Sequence, residues 1–88
     1  MCRNIRVLHN FDPPASQDEV HAAALQFVRK VSGTTKPSAA NQAAFDEAVY
    51  DIAHTTRHLL EALVTTAPPK DRDEEAAKAR LRSQKRYG

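Results

Sequence analysis

The sequence predicts an all-α protein, and three observations carry that prediction. The 88 residues are rich in alanine and hold only two glycines, which favours helices over hairpin-rich β structure. Two long stretches repeat apolar side chains at spacings of three and four. Helix-ending signals sit at the edges of those stretches: Ser16 and Ser38 before them, Gly33 and Pro68-Pro69 after them. The expected architecture is an N-terminal arm packed on a helix hairpin with one long helix, followed by a basic C-terminal helix. So short a chain has a marginal core, and its single cysteine excludes an internal disulfide. Good helix packing, association with a partner, or both must supply the stability.

Residues 1–15 read as the arm. Ile5, Val7, Leu8 and Phe11 are its apolar anchors, and Pro13-Pro14 forces an extended stop before the first helix. The spacing 5, 8, 11 fits a helical turn and the pair 5, 7 fits a strand edge, so the arm's conformation stays open.

Ser16-Gln17-Asp18-Glu19 is a capping box, with Glu three residues after the cap. Acidic residues in the first turn and Arg29-Lys30 in the last complement the helix dipole. Val20, Ala24, Phe27, Val28 and Val31 form the expected buried stripe, and Gly33 the stop. Leu25 falls off that stripe, a position the arm is expected to cover.

After a short link, Ser38 is the expected N-cap of a second helix of about 26 residues, or roughly 39 Å. Its stripe is Phe45, Ala48, Val49, Ile52, Thr56, Leu59, Leu60 and Leu63. A first helix of about 16 residues reaches only roughly 24 Å along it. The uncovered remainder calls for the arm, the third helix or a second copy of the chain, and makes a homo-oligomer the expected state. Ala67-Pro68-Pro69 ends the helix, and Asp71 or Asp73 caps a third whose one large aliphatic side chain is Leu81. Residues 1–66 are therefore read as a helical domain including the arm. Residues 67–88 are read as a Pro-Pro linker and a basic, loosely held helix or tail.

Charge divides along the same boundary. Residues 1–69 carry six Lys or Arg against seven Asp or Glu, whereas residues 70–88 carry seven against four. Lys78, Arg80, Arg82, Lys85 and Arg86 concentrate the excess at the end, a pattern suited to phosphates of a nucleic acid or to an acidic protein. Complementation of the helix dipole explains the same order without a ligand. A membrane-surface helix needs bulky apolar groups opposite the bases, which Leu81 alone does not provide.

Two further constellations bear on chemistry. Glu47, Asp51, His54 and His58 fall within about 60° on the second helix, and the i, i+4 imidazoles can reach one metal with Asp51 as third ligand or orienter. A solvated face of charge pairs gives the same pattern, and His54-Thr55-Thr56-Arg57-His58 lacks the glutamate of a zinc protease. Loss of Met1 leaves Cys2 with an amine and a thiol on one residue; Arg3 and Arg6 favour its thiolate, and His9 is the base closest in sequence. The sequence contains no Gly-rich phosphate loop and no nucleophile elbow. No apolar run spans a bilayer, Met1-Cys2-Arg3 opens without the pattern of a signal peptide, and a lone cysteine points to the cytoplasm.

The series Met1-Cys2-Arg3-Asn4-Ile5-Arg6, Asn10-Phe11-Asp12-Pro13-Pro14-Ala15 and Ala23-Ala24-Leu25-Gln26-Phe27-Val28-Arg29-Lys30 resembles a family of small, mainly bacterial proteins, domain of unknown function 2277. Ser32-Gly33, Lys36-Pro37-Ser38, Ala40-Asn41 and Ala67-Pro68-Pro69 fit the same family. The resemblance covers nearly the whole chain and implies a single-domain, cytoplasmic bacterial protein that starts at Met1. It implies no activity, substrate or cofactor. The expected function is a non-enzymatic interaction module that self-associates and contacts nucleic acid or an acidic partner through its basic tail. The alternative is a metal- or thiol-dependent activity using Cys2 and His54/His58.

Overall fold

The computed structural model describes residues 5–87, the side chains of 85–87 excepted. The architecture is predominantly α-helical. In chain order come β1 (Phe11–Asp12), α1 (Gln17–Ser32), a 3-10 turn (Ala39–Asn41), α2 (Gln42–Ala62), β2 (Lys70–Asp71) and α3 (Arg72–Tyr87).

α1 forms as its sequence demands. The Glu19 N–H donates to Ser16 Oγ at 3.2 Å, and the Ser16 N–H donates to Glu19 Oε1 at 3.0 Å, closing the capping box. At the other end Gly33 takes φ 74°, and its N–H donates to the Arg29 carbonyl at 3.0 Å. That left-handed turn is open to glycine without a Cβ clash.

The second helix starts later than its sequence implies. Ser38 is extended after Pro37 and makes no side-chain cap bond; its carbonyl accepts the Asn41 N–H at 3.0 Å instead. An i→i+3 bond closes a 3-10 turn, so Ala39–Asn41 lead into α2, which has 21 residues and spans about 32 Å.

α1 and α2 pack as a hairpin. Val20, Ala24, Val28 and Val49 are the fully buried hydrophobic side chains among the described residues. Phe45, Ala48, Ile52, Ala53 and Leu25 pack around them, half-buried. Each fully buried valine contributes about 2 kcal/mol by removal from water. Thr56 tolerates its place on this stripe because its hydroxyl donates to the Ile52 carbonyl at 2.6 Å. Two expectations are corrected here. Leu25 packs against the hairpin core, because residues 24 and 28 point straight at α2 and bring position 25 to one edge of the contact. Phe27 and Val31 lie on the opposite edge and remain 46 % and 70 % exposed.

The arm is neither a helical turn nor a full strand. Residues 5–8 carry no regular structure, residues 9–10 turn, and β1 pairs in parallel with β2, Phe11 opposite Lys70 and Asp12 opposite Asp71. Asn10, at φ 64°, makes the turn possible, since asparagine enters the left-handed region more readily than most residues. Its Nδ2 donates to the carbonyls of Ala67 and Pro68 at 3.3 and 3.2 Å, and its own carbonyl accepts the Lys70 N–H at 2.8 Å. The Ala67-Pro68-Pro69 segment is thereby stapled to the arm. Asp71 caps α3 by accepting the Glu74 N–H at 2.9 Å.

Candidate functional site

The stapling of arm to linker places the first turn of α3 beside the first turn of α1. Arg72 joins them. Its Nη1 and Nη2 each donate to the Glu19 carboxylate at 3.0 Å, and its Nε donates to the Pro13 carbonyl at 2.8 Å. This forked pairing and the Ser16 N–H hold the Glu19 carboxyl down to about 2, from an ordinary 4.5. Lys70 Nζ and the Arg72 guanidinium lie 5.3 and 5.6 Å from the Phe11 ring centre, within cation–π range.

An open cleft of about 540 Å³ runs between the arm and α3. Val7, Leu8 and Phe11 line it from the arm, and Ala76 and Ala79 from α3. Arg6 enters from the arm, and Arg80 and Arg82 from α3. With about 100° per residue, the alanines face the arm while Arg80 and Arg82 flank them about 80° to either side. Two acidic groups also border the cleft: Glu19 is engaged by Arg72, and Glu75 by Lys78 at 3.6 Å. Among the described residues, Arg6, Arg80 and Arg82 form no ion pair. Guanidinium groups over an apolar floor are chemically suited to phosphate or carboxylate, which they can engage with two parallel hydrogen bonds.

Of the basic residues that the sequence singles out, Arg80 and Arg82 are in this cleft, and Lys78 is paired on the helix surface. Lys85 and Arg86 belong to the last turns of α3, and their side chains lie outside the described residues, as does Cys2. Arg6 carries no sequence signal of a ligand contact, because its place opposite α3 depends on a pairing between residues 11–12 and 70–71 that no local pattern announces.

The histidines occupy another surface. His54 stacks parallel to Tyr50 with 6.1 Å between ring centres, and His58 lies 4.4 Å from His54 at a tilt of 44°. Arg57 Nη2 lies 3.3 Å from His54 Nδ1, so this imidazole nitrogen faces a cation. Asp51 is exposed on the same helix. Among the described residues, no three His, Cys, Asp or Glu side chains converge as a metal site requires. His9 is half-buried and borders a separate cleft of about 510 Å³ with Arg57 and Leu60.

Residues 1–78 match the family described as uncharacterized conserved protein (DUF2277). The chain belongs to this family. Searches of curated proteins and of solved structures found no match. The family match covers the arm, both hairpin helices and the start of α3 with Arg72, while Arg80 and Arg82 lie beyond the matched residues. No helix among the described residues is long and apolar enough to cross a membrane.

Proposed function

We propose that the chain is a small non-enzymatic interaction module that self-associates and takes an acidic partner, foremost a nucleic-acid strand, into the cleft between the arm and α3. The observation that carries this reading is the placement of Arg6, Arg80 and Arg82 around one cleft with an apolar floor. Cations clustered around one cleft raise the local concentration of an anionic partner. Lys85 and Arg86 add two further positive charges to this end of the sequence. A lone cysteine fits a reducing compartment, and we place the protein in the cytoplasm.

The reading is tested by fluorescence anisotropy of the full chain with a labelled single-stranded oligonucleotide and, in parallel, with labelled polyglutamate at low salt. Oligonucleotide binding that weakens at least about tenfold in Arg80→Gln/Arg82→Gln supports it, since each lost phosphate contact weakens binding across all sequences. Binding of polyglutamate alone reassigns the partner to an acidic protein. Binding of neither overturns the reading.

A further inference from the structure

α3 is fastened at its start and exposed beyond it. Its first turn is fixed by the Arg72 fork on Glu19, by the Arg72 bond to the Pro13 carbonyl and by the Asp71 cap. Every residue from Lys78 to Gln84 is exposed. Residues 61–71, which lead into α3, are exposed as well, and are tied down through Asn10 and the short pairing of β1 with β2. Ala76 and Ala79 line the cleft yet remain exposed, and Val7 on the facing wall is 66 % exposed. The two walls therefore leave each other's apolar side chains uncovered.

The charges explain why. Covering the alanines with Val7 and Leu8 is favourable, but closing the cleft brings Arg80 and Arg82 toward Arg6. The acids that border the cleft do not offset this, because Glu19 is engaged by Arg72 and Glu75 by Lys78. Like charges repel more strongly as water leaves the space between them. An anion among the three guanidinium groups turns that repulsion into charge-assisted hydrogen bonding and leaves the apolar burial unopposed.

We infer that α3 is a strap, pivoting at Arg72, that a phosphate-bearing strand closes against the arm. The inference rests on the proposed anion cleft and adds its regulation: binding and docking of α3 strengthen each other by the same factor. Residues that anchor α3 then govern affinity although they offer the anion no positive charge. Glu19 is the sharpest case, because coupling and plain electrostatics predict opposite signs. Glu19→Gln keeps the capping box, in which glutamine also serves, while removing a carboxylate from the cleft and freeing Arg72. Charge alone predicts tighter binding of an anion; loss of the anchor predicts weaker binding. Asn10→Gly loosens the linker with no change of charge.

The test uses the full-length chain and a labelled single-stranded oligonucleotide at low salt. Fluorescence anisotropy is expected to show binding weakened at least about fivefold in Glu19→Gln and in Asn10→Gly, the lower range of couplings between sites. Circular dichroism checks the hairpin, and if Glu19→Gln unfolds α1, Asn10→Gly decides. Closure is read by electron–electron double resonance between nitroxides at Ala22→Cys on α1 and Leu81→Cys on α3, both exposed positions, in a Cys2→Ser background. Leu81 lies about 140° around α3 from Ala76, so its label leaves the cleft clear. The oligonucleotide is expected to shift the distances to a single narrower population. No oligonucleotide binding by the wild type overturns cleft and strap together. Binding that is unchanged or tighter in both variants, with the label distances unmoved, overturns the strap and leaves the cleft standing.

Discussion

The Arg72 guanidinium grips the Glu19 carboxylate through two hydrogen bonds of 3.0 Å, across 53 residues of sequence. Glu19 is at the same time the reciprocal half of the α1 capping box. One carboxylate therefore starts the first helix and anchors the third. α3 carries little apolar surface, and Leu81 is 57 % exposed, so its attachment depends on this polar contact and on the paired arm. Arg72→Gln is expected to release α3 while α1 and α2 keep their packing, seen as faster proteolysis within residues 70–84 with the hairpin fragment resistant. Arg72→Lys preserves charge but not the fork, and should restore protection only in part.

Glu19 gives a pH signature. Its carboxyl is lowered from 4.5 to about 2, chiefly by the Arg72 hydrogen bonds and next by the Ser16 N–H. A depressed acid stabilises the fold above its unfolded value, and that contribution fades as pH falls from about 4.5 toward 2. Carbon-13 NMR of the Glu19 carboxyl should show a midpoint near 2 in the wild type. In Arg72→Gln it should move back toward 4.5, stopping short because Ser16 still donates. A wild-type midpoint near 4.5 contradicts the pairing.

Asn10 separates backbone from side-chain effects. It combines a φ of 64° with hydrogen bonds to Ala67 and Pro68. Asn10→Gly keeps the turn and loses the bonds; Asn10→Ala loses both. Hydrogen exchange of the Lys70 N–H, which donates to the Asn10 carbonyl, should accelerate in the order wild type, glycine, alanine. Equal rates in all three contradict the staple.

Stability should track burial on the hairpin. Val49, 4 % exposed, is expected to cost about 2 kcal/mol as Val49→Ala, whereas Val64, 93 % exposed, should stay within about 0.5 kcal/mol as Val64→Ala. Gly33→Ala should cost about 1 kcal/mol, because no atom lies within 4 Å of the added Cβ and the penalty is that of the left-handed backbone alone. Urea denaturation followed by circular dichroism measures all three.

The parts of the fold legible in the sequence are those written in local signals. The Ser16–Glu19 box and Gly33 bound α1 as expected, because both act within a few residues of the chain. Ser38 misled because a serine after proline signals a helix start without saying whether a 3-10 turn comes first. Phe27 and Val31 looked buried because periodicity marks an apolar arc, while the partner helix covers only the side carrying Ala24 and Val28. The relation of arm to α3 was not legible: it depends on Asn10, Phe11, Lys70 and Arg72 meeting from nearly opposite ends of the chain. The same distance hid Arg6 from the candidate site, though Arg80 and Arg82 could be read from the charge run.

The most direct test of the arginine cleft is the salt dependence of oligonucleotide binding to the full-length chain, compared between wild type and Arg80→Gln/Arg82→Gln. Each phosphate contact on a single strand contributes about 0.7 to the slope of log affinity against log salt. Loss of two arginines should therefore lower the slope by about 1.4 while circular dichroism remains unchanged. An identical slope in the two proteins would contradict the cleft as the binding surface.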